Sequence, residues 1–242
     1  MTSGGSGAFR STAVAAVAFG VAFGYVEAAV VAYLRAAVEI GTVVPAHDPA
    51  TFGTFENVES VRELATLVMI GAVGWLAGRS RLERLAWAAV VFGAWDIVYY
   101  VGLRGAIGWP PELGTWDVLF LLPAPWVGPV WAPVLVSAAL VAFGLIAARR
   151  LRAGRPVVVG PVRGLAGLAG GGLVVVSFLV DASRGAAGEI LGWTGWPAYW
   201  AGMALATSAA VSALGRPVGA RASPMVSLHH GSDSRPSAGS PD

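Results

Sequence analysis

Three acidic residues lie in surroundings where a charge needs a partner. Glu27 and Asp96 stand inside long apolar stretches, and Asp117 stands in a shorter one. A charge in the middle of a membrane helix costs about 2.5–3.5 kcal/mol on insertion scales, so it should face protein or water and be paired. Two carboxylates brought together cannot both ionise easily, so one is protonated or a cation lies between them. Such a pair has the chemistry of a proton or cation site.

A short internal repeat links two of these acids. The sequence Gly93-Ala-Trp95-Asp96-Ile-Val-Tyr99 recurs twenty-one residues later as Gly114-Thr-Trp116-Asp117-Val-Leu-Phe120, and the two Trp-Asp pairs flank the segment 104–113. Because the repeat is short, internal duplication and chance are both open. If the intervening segment folds back on itself, Asp117 approaches Asp96.

The second copy of the repeat belongs to a segment, 114–122, that is too short to cross a membrane. Four prolines follow and stop a helix from running straight on: Pro123, Pro125, Pro129 and Pro133. A broken segment at membrane depth is tolerated only where it is buried in protein or lines a cavity. We therefore predict a short outer helix, re-entrant or interfacial, over about 114–122, lining an outer cavity.

The helical faces around Glu27 and Asp96 indicate what each carboxylate meets. Glu27 shares its face with Gly20 and Gly24, and small residues mark places where membrane helices approach closely. Asp96 shares its face with two tyrosines whose hydroxyls can donate to a carboxylate, and we expect both acids to point into the bundle. The alternative to a functional site is an ion pair that fastens helices together, with Arg35, Arg62 or Arg104 as the cation.

The composition defines the class of protein that positions these residues. The 242 residues are 56% apolar and 12% charged, with a mean hydropathy of +0.67. Soluble domains carry about 25% charged residues, so this chain has too little polar surface to be one. The absence of Cys excludes disulfides, thiolate metal sites and Cys nucleophiles.

Six segments are apolar and long enough to cross a hydrocarbon core about 30 Å thick, which takes about 20 helical residues. They run approximately over 11–37, 61–78, 84–103, 127–148, 164–183 and 196–214. We predict an all-α fold, a polytopic membrane bundle of six transmembrane helices plus the short outer helix. The membrane domain extends over 10–215, and the tails 1–9 and 216–242 are predicted to be disordered because they are poor in apolar residues.

The arginines divide unevenly between the two sides of this bundle. Twelve lie in one set of alternate connections and tails and four in the other, while eleven of the 14 acidic residues fall on the side with few arginines. Basic residues near span ends stay in the cytoplasm. We therefore expect a multi-pass protein of the inner (plasma) membrane with both termini in the cytoplasm.

Eight of the ten tryptophans lie in or near the predicted outer half. They form either an interfacial aromatic belt or, because a belt should occupy both interfaces, partly the wall of an outer vestibule. The eight are Trp95, Trp109, Trp116, Trp126, Trp131, Trp193, Trp196 and Trp200.

Polar and aromatic positions over about residues 27–137 resemble a family of uncharacterised, hypothetical bacterial integral membrane proteins with several spans. The matching residues are Glu27 with Tyr33-Leu34-Arg35, Arg62-Glu63 with Thr66 and Met69, Trp95-Asp96 with Tyr99-Tyr100, Trp109-Pro110, Trp116-Asp117 with Phe120, and Pro123-Ala-Pro125-Trp126. The resemblance implies a bacterial membrane location and no activity. It supports treating one set of residues as candidates for substrate or ion binding: Glu27, Arg35, Arg62, Glu63, Trp95, Asp96, Tyr99, Tyr100, Trp116, Asp117 and Trp126.

Three functions fit such a set. The first, which we prefer, is a transporter or solute-binding membrane component whose acidic, tryptophan-rich outer site captures a cationic or aromatic solute. Its topology is similar to that of the six-span substrate-binding subunits of vitamin importers, an analogy of fold alone. The second is a structural or assembly subunit of a membrane complex. The third is a membrane enzyme acting on a lipid or polyprenyl-linked substrate at the outer leaflet, with the three acids as acid, base or divalent-metal ligands.

The sequence constrains partners and cofactors only in part. The lipid bilayer is the expected partner, a small solute or cation is a candidate ligand, and a membrane-protein partner or a second copy of the chain is left open. No nucleic-acid partner and no metal site are expected, and no cofactor can be assigned. A polar cavity walled by tryptophans would favour the transporter, converging carboxylates the enzyme, and neither of these the structural subunit.

Overall fold

The computed structural model describes residues 3–37, 49–182 and 192–215, with side chains over 7–36, 58–182 and 192–215. This part of the chain forms six helices and one two-stranded hairpin. The helices are α1 (Ser3–Ala37), α2 (Pro49–Ala77), α3 (Arg81–Ile107), α4 (Trp131–Arg152), α5 (Pro161–Leu179) and α6 (Trp196–Leu214), and the strands are β1 (Trp116–Phe120) and β2 (Trp126–Pro129).

Local sequence signals account for several helix ends. The Ser80 hydroxyl caps the start of α3 by accepting a hydrogen bond from the Glu83 backbone N–H at 3.3 Å. The same helix ends at Gly108, whose φ of 70° is the left-handed conformation that glycine adopts without strain. Helices α5 and α6 each begin with a proline in the first turn, where a missing N–H costs nothing.

Five of the described helices, α1 to α5, are long and apolar enough to cross a membrane. The helix α6 covers the sixth predicted segment with 19 residues, but it is not among those five. The prediction of a membrane helix bundle is confirmed at this level, while the count of six spans stays a prediction. The first helix begins at Ser3, within the segment 1–9 that the composition assigns to a disordered tail. The predicted tail 216–242 lies outside the described residues.

The helices alternate in direction, so that α1 begins and α6 ends at the same end of the bundle. Arg152, at the end of α4, donates hydrogen bonds to the carbonyls of Ala8 in α1 and Ala77 in α2 at 2.7 and 2.9 Å. Val158, just before α5, donates to the Ala213 carbonyl in α6 at 3.0 Å. We call this end, which holds Arg152 and the start of α3, the arginine-rich end. The opposite end, which holds residues 108–130, is the hairpin end.

The helices pack in two groups. In the first group, α1, α2 and α4 all pack against α3. In the second, α5 and α6 pack along each other, and Gly170 and Gly202 allow their backbones to approach closely. Within the described residues, direct packing between the groups is concentrated at the hairpin end, where β2 and the start of α4 meet α5 and α6.

The segment 114–122 is not a helix, and that prediction is wrong. Its residues 116–120 form β1, which pairs antiparallel with β2 through Val118 opposite Val127 and Phe120 opposite Trp126. β-branched and aromatic residues favour an extended strand, and pairing satisfies backbone groups that a one-turn helix would leave open. The predicted span 127–148 is shifted for the same reason, because β2 occupies 126–129 and α4 begins only at Trp131.

Candidate functional site

Glu27 is paired within the protein. Its carboxylate forms an ion pair with Arg62 of α2 and accepts a hydrogen bond from the Thr66 hydroxyl at 2.8 Å. Arg62 also donates to Glu59 from Nε at 2.9 Å. Glu27 is only 4% exposed, so the prediction that it points into the bundle is confirmed. Of the two alternatives for this residue, the structure shows the ion pair that fastens α1 to α2.

Glu63 joins α2 to the hairpin. Both of its carboxylate oxygens lie 2.9 Å from the backbone N–H of Leu121, the residue that follows β1. The Leu121 N–H lies beyond the paired part of β1, and Glu63 accepts the hydrogen bond that it would otherwise lack. Glu63 and the Glu27–Arg62 pair therefore position the hairpin and α1 relative to α2.

Asp117, in β1, accepts a hydrogen bond from the Tyr100 hydroxyl at 3.0 Å. It is 8% exposed, and burial raises the pKa of its carboxyl from 3.8 to about 6, against the opposing effects of the Arg35 guanidinium and the Tyr100 hydroxyl. Arg35 lies over the ring of Trp109, with its guanidinium carbon 4.0 Å from the ring centroid. Asp117 thus sits beside one cation and one hydroxyl donor.

Arg104, one of the three arginines considered as a partner for the acids, has a different role. It donates to the backbone carbonyls of Gly108 and Pro110 at 2.6 and 3.0 Å. These contacts hold the end of α3 and the loop that follows it. The cation near Asp117 is Arg35 instead.

Asp96 receives its hydrogen bond from α4. The Ser137 hydroxyl donates to Asp96 Oδ2 at 2.8 Å, and both side chains are buried. The contact depends on Gly93, one turn earlier, where an added Cβ would collide with the Ser137 carbonyl oxygen. Asp117 lies close enough to Asp96 for the two charges to repel each other, yet each carboxyl has its own hydroxyl donor. A proton or cation shared between them stays a prediction.

A cavity of about 590 Å³ runs between α3 and α4 on one side and α5 and α6 on the other. Its walls are almost entirely apolar and extend from Leu82 and Leu151 at the arginine-rich end to Phe120 at the hairpin end. Asp96 and Ser137 reach the wall near Phe120. This volume lies within the range of small-molecule sites, about 300–1,000 Å³.

Trp126 forms part of the cavity wall at the hairpin end. Its ring packs 5.5 Å from Phe120 and stacks 6.3 Å from Phe178, centroid to centroid. Its indole N–H is buried and has no hydrogen-bond partner among the described residues. A buried donor without an acceptor costs about 1–3 kcal/mol. Because this nitrogen is inaccessible even without a ligand, the N–H does not face the cavity.

The cavity in the described part of the chain is not walled by several tryptophans, and the outer vestibule stays a prediction. Of the tryptophans there, Trp126 alone lines the cavity. Trp95 is buried between Phe92 and Phe120, and Trp116 begins β1 opposite Pro129. Another aromatic cluster joins α4 to α6 and comprises Trp131, Trp193, Tyr199 and Trp200.

A second buried ion pair, which was not predicted from the sequence, lies at the arginine-rich end. Arg152 of α4 donates from Nε to Glu83 of α3 at 2.5 Å, and the two side chains are only 7% and 4% exposed. Arg152 also donates to the Thr12 hydroxyl at 2.8 Å, so it joins four helices. A signal was present, because Glu83 is the one acid of the predicted cytoplasmic side that lies within the membrane domain.

The predicted site residues therefore fall into two sets. Asp96 and Trp126 both line the cavity, whereas the others lie in neighbouring contacts between helices and hairpin: Glu27, Arg35, Arg62, Glu63, Trp95, Tyr99, Tyr100, Trp116 and Asp117. Among the described side chains, no group of three His, Cys, Asp or Glu is placed to hold a metal ion.

No protein-family model, curated protein or solved structure matches this chain. The class of protein is set by its own fold, a membrane helix bundle capped by a small hairpin, with an apolar cavity that reaches a buried acid.

Proposed function

We propose that this protein is a solute-binding or transport component of the bacterial inner membrane, and that the cavity between the two helix groups is its binding site. The observation that carries the proposal is the meeting of an apolar cavity with Asp96, Ser137 and Trp126 at one end. A bundle that served only as a scaffold would gain packing energy by filling such a space.

The contacts of the acids support assigning Asp96, rather than Glu27 or Asp117, to the proposed site. Glu27 is paired with Arg62, and Asp117 lies beside Arg35, so each of these carboxylates already has a cationic neighbour and is poorly suited to bind a cationic solute. Asp96 reaches the cavity wall, and its one hydrogen bond within the described residues comes from a neutral hydroxyl. The preferred hypothesis of a transporter is retained, with the site moved from an acidic outer vestibule to the cavity.

The proposal includes the membrane arrangement that the arginines predict. Helix α6 is the sixth span, both termini are cytoplasmic, and the hairpin end faces outward. Because the two helix groups touch mainly at the hairpin end, a ligand can enter sideways from the bilayer between them. Kinship with the family that the segment 27–137 resembles is part of the same proposal.

Photolabelling tests the binding site directly. Purified protein in lipid nanodiscs would be labelled with a diazirine-bearing long-chain alkane, and the modified residues would be mapped by peptide mass spectrometry. We expect labels on cavity residues such as Ala139 and Val175. Ala139→Phe should reduce labelling at Val175 by filling the space, whereas Leu168→Phe, on a face 75% exposed to the surroundings, should leave it unchanged.

The proposal fails if labels appear only on residues outside the cavity. It also fails if Ala139→Phe and Leu168→Phe give the same labelling pattern, because the probe would then sample the lipid-facing surface alone.

A further inference from the structure

The cavity has an opening at the arginine-rich end. Three of its wall residues there are partly exposed: Leu85 in α3 is 67% exposed, Val159 just before α5 is 48% exposed, and Leu82 is 36% exposed. We call this opening the mouth of the cavity. At the opposite end the wall includes the buried residues Asp96 and Phe178, so the mouth is the accessible end.

Three arginines, which we call the mouth arginines, lie beside this opening. Each stands one helical turn beyond a wall residue, on the helical face that lines the cavity. They are Arg81 before Leu85 in α3, Arg150 after Ala147 in α4 and Arg163 before Gly167 in α5. Arg163 also donates a hydrogen bond to the Val158 carbonyl at 3.1 Å, and the residues on both sides of Val158 belong to the wall.

The mouth arginines form no ion pair within the described residues. Glu83, the only acid that the described residues place at this end, is paired with Arg152 instead. Three positive charges from three different helices therefore surround an apolar opening. Guanidinium groups bind carboxylates and phosphates through two parallel hydrogen bonds, so the mouth suits an anionic group.

The dimensions of the cavity suit one hydrocarbon chain. Its wall follows α3 from Leu82 to Asp96, which at 1.5 Å per residue is a distance of about 21 Å. Half of a hydrocarbon core about 30 Å thick is about 15 Å, so the cavity is at least as long as a chain within one leaflet. A methylene group takes about the volume of a water molecule, about 30 Å³, so the cavity of about 590 Å³ holds on the order of 20 carbon atoms.

Charge determines which way such a chain would lie. No arginine belongs to the wall itself, so an anionic head group at the hairpin end would lie near Asp96 without a compensating cation. At the mouth the same head group would meet three cations. An anionic ligand therefore has its head at the arginine-rich end and its chain in the cavity.

We propose that the cavity binds one hydrocarbon chain of a lipid with an anionic head group, and that the head lies among Arg81, Arg150 and Arg163. This inference rests on the proposed function, because it names the ligand class of the same cavity. With the arginine-rich end in the cytoplasm, the lipid belongs to the cytoplasmic leaflet, where basic pockets between helices bind anionic head groups. It differs from the cationic or aromatic solute expected from the sequence, because that expectation rested on the acids and tryptophans of the other end.

Four photolabels with the same long alkyl chain, each carrying a diazirine, would test the charge of the head group. Their heads would be a carboxylate, a phosphate monoester, a methyl ester and a trimethylammonium, at equal mole fraction in nanodiscs of a zwitterionic lipid. We expect the two anionic probes to bind about tenfold more tightly than the ester, and the ammonium probe to bind least. The carboxylate and phosphate arms distinguish a fatty acid from a phospholipid as the source of the anionic head.

Two triple variants separate the mouth arginines from the general positive charge of this end. The first combines Arg81→Gln, Arg150→Gln and Arg163→Gln. The second, the matched control, combines Arg10→Gln, Arg79→Gln and Arg149→Gln, which removes the same charge from exposed arginines at the same end and outside the faces that line the cavity. The first should abolish the preference for anionic heads and leave binding of the ester unchanged, which shows that the cavity is intact. The control should keep the preference.

The position of the diazirine tests the direction of the chain. An anionic probe with the diazirine beside its head should label Leu151 and Val159, and one with the diazirine at the chain end should label the region of Phe120. The reverse pattern would overturn the inference.

The remaining outcomes distinguish this inference from the proposed function. Equal labelling of the cavity by all four heads, tighter binding of the ammonium probe, or equal effects of the two triple variants would overturn the anionic lipid and leave the binding site standing. Absence of any label in the cavity would overturn both.

Discussion

The buried Arg152 provides a stringent test of how this bundle is held together. Its guanidinium reaches the Glu83 carboxylate, the Thr12 hydroxyl and two helix carbonyls at distances from 2.5 to 2.9 Å, and it lies 5.6 Å from the Trp87 ring. Arg152→Met keeps much of the side-chain volume but removes every donor. Glu83 then stays buried as an uncompensated charge.

The expected loss follows from these contacts. Removing one partner of a buried ion pair costs about 3–5 kcal/mol in free energy of unfolding. Glu83 retains hydrogen bonds from the Arg79 backbone N–H at 3.0 Å and the Trp87 indole N–H at 3.2 Å, which favours the lower part of that range. A loss of about 3 kcal/mol lowers the melting temperature of a chain of this size by on the order of 10 °C.

A double-mutant cycle with Glu83→Gln separates the pair from the single contacts. Thermal unfolding in a mild detergent would be followed by circular dichroism for both single variants, the double variant and Arg149→Met. Arg149 is an exposed arginine on the same helix and serves as the control. The double variant should lose less than the sum of the single losses, since neither charge is then left alone. Strict additivity, or an Arg152→Met loss no larger than that of Arg149→Met, would refute the argument.

Three further predictions concern the hairpin, helix packing and membrane topology. The pKa of Asp117 is about 6 in the folded protein against an ordinary 3.8. Below about pH 4 the carboxyl is protonated in both the folded and the unfolded protein and does not reduce the free energy of unfolding. As pH rises through about 6, ionisation of the buried carboxyl lowers the free energy of unfolding. Asp117→Asn should abolish this loss of about 3 kcal/mol in a pH series of thermal melts, and an unchanged pH profile would contradict it. Gly93→Ala should destabilise the bundle by about 1–3 kcal/mol, because the added methyl group collides with α4. Gly105→Ala, with open space around it, should be neutral or slightly stabilising. Equal effects of the two substitutions on the melting temperature would argue against the close crossing of α3 and α4. In this chain without cysteine, a thiol reagent that cannot cross the membrane should label Ile107→Cys from outside and Pro156→Cys only after permeabilisation, and the reverse pattern would invert the topology.

The candidate site shows where prediction from sequence succeeded. The burial of Glu27 and Asp96 followed from helical periodicity and from the glycines beside them, because the residues on one helical face are determined locally. The hydrogen-bond and ion-pair partners of these acids could not be predicted from helical periodicity. Ser137 is 41 residues away from Asp96, and no local pattern distinguishes it from the other hydroxyls of the chain.

The segment 114–122 shows where local reasoning failed. Its length and the following prolines correctly exclude a span, but they do not decide between a short helix and a strand. The decision came from β2, which supplies the pairing partner across a turn, and from Glu63, which lies 58 residues away and accepts the N–H of Leu121. A strand is stable only with a partner, so its existence depends on contacts beyond its own residues.

The sequence by itself indicated the class of the protein, because the apolar composition and the length of the apolar runs give helices that are long and apolar enough to cross a bilayer. It also determined most helix positions, since caps, prolines and apolar runs act within a few residues. Only the tertiary structure decided which charges are paired and where a ligand could bind. The cavity exists because the two helix groups meet mainly at the hairpin end and leave space along the rest of their length, and no segment of the sequence contains that arrangement.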